Sequence, residues 1–417
     1  MFLAIEKRGR PAGFVASSVL LLLLALSVEP FVSRAQEIVS DPDGITSSSP
    51  RQKRLCLWVV RDALEDTVAL AALADSARSV GCTDLLVQVR GRGEAYYRSR
   101  TEPAPQSLET PPPRGIRIGS RPSDKSLRYD PLAAAIRITK ARGMQIHAWF
   151  NVFVAGSWNR ERGPCHVLVR NPTWQIRLKD GRLTENLSEE ERKRLALEGI
   201  FLDPGHPQVL AYFRGLISEL IENYAIDGIH LDYIRYPWTD AGYGDESRAT
   251  FLAAKNEGRL ADDLSHPELD PWDAWRIGRV SLAVETIART ARSIVPGIEV
   301  SAAVVPDYVE ALRSCKQDWP TWIRQGWCDR VYLMAYTKST DRLDLWHEMI
   351  SDLDPDGGHV VFGLGLHKLE PARLATVLNH LRGKGIVDLA LFSDVQFMES
   401  RRKRDILRRA WDLVELR

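Results

Sequence analysis

The feature that most constrains this chain is a regular alternation. Short apolar runs rich in β-branched and aromatic residues take turns with stretches whose apolar residues recur at helical spacing. The runs are LCLWVV from Leu55, DLLVQVR from Asp84, MQIHAWF from Met144, GIHLD from Gly228, IEVSAAV from Ile298, DRVYLMAY from Asp329, HVVFGLGL from His359 and DLALFSD from Asp388. A strand covered on both faces reads as a continuous apolar run, and strands separated by helices pair in parallel. Eight such repeats suit a closed ring better than an open sheet. The predicted fold class is therefore α/β, a single (β/α)8 TIM barrel with long βα loops. The clearest helix follows Pro207, where Val209, Leu210, Phe213, Leu216, Ile217, Leu220 and Ile221 share one face.

One barrel with long loops accounts for the length of 417 residues. Residues 1–35 read as a signal peptide. Lys7, Arg8 and Arg10 precede an apolar run from Phe14 to Val28, and Ser33 and Ala35 are small residues at the −3 and −1 positions of a cleavage site. An exported protein, periplasmic or extracellular, is the expectation; an uncleaved signal-anchor is the alternative and the one expected link to a membrane. Residues 36–53 read as a disordered linker, and 54–417 as the barrel. A net charge of +1 argues against nucleic acid as a partner. Of the five cysteines, Cys315 and Cys328 are near enough in sequence to form a disulfide, and an odd count leaves at least one unpaired within the chain. None has metal-ligand spacing, and neither metal nor cofactor is expected. Two stretches exceed ordinary loop length, Arg98 to Tyr129 and Val152 to His206, the second with helical character around Glu189. Both follow strands, which places them on the C-terminal face of a barrel, where active sites are built.

The most informative segment is DGIHLDYIRYP, Asp227 to Pro237. Side chains alternate along a strand, so His230 and Asp232 point the same way, and Asp232 falls where the strand ends. A carboxylate there reads as functional; the bland alternative is a buried Asp paired with Arg235. His147, Trp149 and Asn151 share a face at the end of the third strand. Amide and imidazole suit hydroxyl groups, and indole suits a sugar ring, although Trp149 reads equally well as core. Gln88 and Arg90 share a face of the second strand, with Glu94 on the loop beyond. Asp307, Tyr336 and Asp394 lie just past other strand ends. Tyr233, Arg235 and Tyr336 join Arg90, His147, Trp149, Asn151 and His230 as candidate substrate contacts. Five of these residues, His147, Trp149, Asn151, His230 and Asp232, are expected to line one cleft.

Read in order, EAYYRS, YDPLAAAI, ARGMQIHAWFN, LDPGHPQV and DGIHLDYIRYP resemble the glycosyl hydrolase-like family 10 proteins, from about Arg54 through at least Asp394. The resemblance implies a barrel acting on a polysaccharide or oligosaccharide, and one bacterial branch of the family is associated with cell-wall glycan. The fourth strand also resembles chitinase-type barrels, which read DGxDxDxE there. Asp232 matches the last Asp of that pattern, but Ile234 stands at the acid position and His230 at the middle Asp. Ile cannot protonate a glycosidic oxygen, so chitinase-style catalysis is excluded. Most glycosidases use two carboxyl groups, and the candidates to accompany Asp232 are Glu94, Asp307 and Asp394. The rival readings are a catalytically inactive glycan-binding barrel, and a metal-dependent carbohydrate hydrolase with His230, Asp232 and His147 as ligands.

Overall fold

The computed structural model describes residues 53–109, 127–158, 161–238, 240–258, 266, 268–354 and 358–412. Residues 1–35, read above as a signal peptide, and all of 36–53 but Lys53 lie outside the described residues, as does 110–126 of the first long loop.

All eight predicted strands form: β1 (Leu55–Val59), β2 (Asp84–Gly91), β3 (Gln145–Asn151), β4 (Gly228–Asp232), β5 (Glu299–Val304), β6 (Arg330–Leu333), β7 (Val360–Gly365) and β8 (Leu389–Phe392). They pair in parallel in sequence order, and β1 pairs with both β2 and β8, which closes the ring. The protein is a TIM barrel. Helices pack outside it, among them α1 (Thr67–Ser79), α2 (Pro131–Lys140), α3 (Pro207–Asn223) and α4 (Pro271–Ile294).

Local sequence explains where the helices start. Proline occupies the first turn of α2, α3 and α4, where its missing N–H would be unpaired in any case. Asp130 and Asp270 cap α2 and α4, and His206 caps α3. On α3, Val209, Phe213, Leu216, Ile217, Leu220 and Ile221 are buried against the sheet, and Leu210 is half-buried at the edge of that face.

Inward side chains fill the ring with Cys56, Trp58, Leu86, Trp149, Tyr332, Val361 and Ala390. The space for Trp58 comes from Gly363, where a Cβ would stand 2.8 Å from the indole. Below this plug, at the N-terminal end, the ring is polar: Arg54 pairs with Glu299 at 2.9 Å, Arg330 pairs with Glu299, and Asp84 pairs with His147 at 3.1 Å. The plug separates this polar floor from the C-terminal mouth, the end at which barrel active sites are built.

The second long loop is anchored over that mouth by a small antiparallel sheet, Val154–Gly156 with Ile200–Phe201. It also contains the expected helix, Glu189–Arg194, whose capping box is formed by Ser188 and Glu191. The Cys315–Cys328 disulfide that the spacing allowed is not formed. All five cysteines are buried and none is in a disulfide.

Candidate active site

Asp232 is the last residue of β4, and Asn151, the last of β3, lies opposite it. The Asp232 carboxylate is only 8% exposed. Its Oδ2 accepts from the Trp149 indole Nε1 at 3.0 Å, and its Oδ1 from the Tyr233 backbone N at 2.7 Å. Tyr233 has φ 49°, a left-handed conformation that non-glycine residues rarely adopt. That turn aims an amide back at the carboxylate one residue earlier and swings the chain out of the barrel. Burial pushes the Asp232 carboxyl up to about 6, against the pull of Arg235 and of the two hydrogen bonds. A carboxyl group titrating there holds or releases a proton near neutral pH.

Around it stand an amide pair and an aromatic wall. Gln88 Nε2 donates to Asn151 Oδ1 at 3.3 Å. Tyr336 stacks on Phe392 with ring centroids 5.2 Å apart, and Phe392 meets Trp149 edge-on at 6.3 Å. Tyr336 and Phe392 are half-buried, so part of each ring faces the mouth. On the other side Arg235 is buried, with its guanidinium 4.8 Å from the Tyr233 ring and 5.6 Å from the Trp238 ring. Its Nη2 donates to Glu198 Oε2 at 2.5 Å.

Glu198 was not among the sequence candidates. It lies in the long β3 loop, two residues before the short strand that anchors that loop, and its side chain is 39% exposed. The charged side chains acting most strongly on Asp232 are Arg235, which favours the carboxylate, and Glu198, which disfavours it. No strand phase pointed to Glu198. The one available signal was that the loop follows a strand and so lies over the mouth.

Other sequence candidates are placed elsewhere, and the five-residue cleft is not assembled. His147 and His230 do face inward, but deeper. His230 lies two residues below Asp232, roughly 7 Å along the strand, and His147 four below Asn151, roughly 13 Å. The Trp58 indole donates to His230 Nε2 at 3.0 Å, which leaves Nδ1–H to donate to Ser301 Oγ, also at 3.0 Å. Both ring nitrogens are thus engaged, and burial holds the ring well below its ordinary pKa, hence neutral. His147 pairs with Asp84 at the far end of the barrel. The proposed trio of His147, His230 and Asp232 therefore does not come together around a metal.

Arg90 is fully buried and pairs with the equally buried Glu102 through Nε and Nη2 at 2.6–3.0 Å, while Nη1 donates to the carbonyls of Asn151 and Val152. It is a clamp on the end of β3 rather than a substrate contact. Asp307 caps the helix Tyr308–Cys315 by accepting from the Glu310 N at 2.9 Å. Asp394 is buried, accepts at 3.1 Å from the N of Val60, the residue just past β1, and is raised by burial to about 6. Glu94 sits half-buried in the two-residue strand Glu94–Ala95, which pairs back on the end of β2. The strand that precedes Asp394, β8, stands across the ring from β4, which bears Asp232, and none of the three carboxyl groups is among the main influences on Asp232.

Comparison with known proteins follows the same lines. The glycoside hydrolase domain of PgaB (BpsB) from Bordetella bronchiseptica superposes with a TM-score of 0.62 at 15% identity, covering 87% of this chain and 99% of that domain. Glycosyl hydrolase DigH of Escherichia coli K12 is 22% identical over an alignment of 324 residues that covers 72% of this chain and 66% of DigH. Glycosyl hydrolase YngK of Bacillus subtilis 168 is 23% identical over 232 residues, 54% of this chain and 38% of YngK. The chain thus spans just under two thirds of DigH and less of YngK. Residues 57–373 match the glycosyl hydrolase-like 10 family, and that stretch runs from within β1 through β7 and includes Asp232. This chain belongs to the glycosyl hydrolase-like 10 family.

Proposed function

We propose that this protein hydrolyses O-glycosidic bonds in a polysaccharide, with Asp232 exchanging the proton and Glu198 as the second carboxylate. The observation that carries this reading is the setting of Asp232: a buried carboxyl at a strand end, poised near 6, beneath half-exposed aromatic rings. A proton donor for a leaving oxygen needs a pKa lifted toward the working pH, whereas a base or nucleophile needs to be ionised. Glu198, ion-paired with Arg235, fits the second role. The rings of Tyr336 and Phe392 suit the apolar face of a pyranose, and the Gln88–Asn151 amide pair suits its hydroxyl groups. Cell-wall glycan is the leading substrate, in keeping with a family branch associated with it and with the export leader read over residues 1–35.

The test is incubation of the mature protein with defined glycans, including wall glycan stripped of peptides, with sugar products read by mass spectrometry. Asp232→Asn keeps the shape of the side chain but cannot exchange the proton, so turnover per folded molecule should fall roughly 100- to 10,000-fold. Glu198→Gln should be nearly as damaging. Turnover by Asp232→Asn close to the wild-type rate would overturn the assignment. A wild type that binds glycan but cleaves none would mean a binding barrel.

A further inference from the structure

A groove of about 530 Å³ opens on the same face of the barrel, within the roughly 300–1,000 Å³ typical of small-molecule sites. Its walls come from the loop after β4, the start of α4, the end of the helix Tyr308–Cys315 and the long β3 loop. All of these are segments at the C-terminal mouth. Trp238, Tyr243 and Trp272 line it and are half-buried, so each ring keeps part of its surface in the groove. Two of these rings are braced by their neighbours. Trp272 stacks on the buried Trp275 at 4.8 Å and 25°, Tyr243 lies 5.5 Å from Trp272, and Phe251 braces Trp272 edge-on at 4.9 Å.

The charges around these rings are mixed and tied together. Arg276 pairs with Asp240 at 2.9 Å and with Asp273, and Lys316 pairs with Asp273 at 3.2 Å. Neither sign dominates, so the groove is no phosphate or polyanion cradle. Flat rings interleaved with fixed donors and acceptors suit pyranose units, which present an apolar face and a rim of hydroxyl groups. The groove lies beside the Asp232 site. The Trp238 ring that lines it lies 5.6 Å from the Arg235 guanidinium, and Arg235 acts directly on Asp232.

We propose that this groove is a second glycan-binding segment, holding further pyranose units of the chain whose scissile bond lies at Asp232. It rests on the reading of the mouth as a glycosidase site and adds a consequence: long chains are preferred over disaccharides.

Binding measured without turnover separates the two. In Asp232→Asn protein, calorimetric titration with β-1,4-linked N-acetylglucosamine oligomers of two to eight units, and with sized peptide-free wall glycan strands, should show affinity rising about tenfold or more with length. Trp272→Ala or Trp238→Ala in that background should cost the long ligands about tenfold and the dimer little, since one aromatic contact is of that order. Trp238 lies outside the Trp272–Trp275 stack, so it serves as the second route if Trp272→Ala lowers Tm. Equal affinity at every length, or a length dependence that survives both substitutions, overturns the groove and leaves the glycan reading standing. No binding at any length overturns both.

Discussion

At the residue scale the molecule turns on one carboxyl group held where it is costly to ionise. Asp232 has a folded pKa of about 6 against an ordinary value of 3.8. The folded state therefore holds the proton more tightly than the unfolded chain does. The stability this confers is full below the unfolded pKa and is lost as pH rises through the folded one. Above pH 6 the ionised group destabilises the fold by an amount of order 2–3 kcal/mol. Asp232→Asn removes that penalty. The variant should melt at a higher temperature than wild type at pH 8, with the gap closing toward pH 4. Thermal melts across that range check it. An Asp kept for an ion pair with Arg235 would give the opposite sign, with the variant melting lower at pH 8.

At the scale of elements, Arg90 and Glu102 show how loops are fixed to strands. Arg90 leaves the end of β2, grips Glu102 on the following loop, and donates to carbonyls where β3 becomes the second long loop. Its guanidinium also lies 5.1 Å from the Phe150 ring and 5.3 Å from Phe213 of α3. One side chain thus sets the relative positions of two mouth-forming loops and an outer helix. Removing one partner of a buried pair leaves the other charge uncompensated, so Glu102→Ala should lose about 3–5 kcal/mol in urea denaturation. A loss under about 1 kcal/mol, as seen for exposed pairs, would show that the clamp does not hold the loops.

At the scale of the whole molecule, closure of the ring leaves no role for covalent staples. The barrel buries a plug of aromatic and aliphatic side chains inside and a second apolar layer between strands and helices. A domain of this size buries enough surface to be stable without disulfides. All five thiols should be silent to a thiol reagent in native buffer and should all react in denaturant, with Tm unchanged by reductant. Titration of fewer than five in denaturant without reductant would reveal a bridge and contradict this picture.

Much of the architecture was legible in the sequence because it depends on local periodicity. Period-two alternation set which side chains of β3 and β4 face inward, and helical spacing set the buried face of α3, both independently of any partner. Depth within the barrel was not legible. His147 and Asn151 share a face, yet one belongs to the polar floor and the other to the mouth, because four residues of strand span most of the distance between them. Pairing decided which level each side chain occupies, and pairing is non-local. Glu198 was hidden for the same reason. Glu198 lies 34 residues before Asp232 on a loop whose course is set by the pairing of Val154–Gly156 with Ile200–Phe201, and its contact with Arg235 exists only once that sheet has formed. Sequence alone determined the ring, its inward phase and the strand-end Asp232; tertiary structure decided what surrounds that carboxyl, because burial and Coulombic influence depend on distances between segments far apart in the chain.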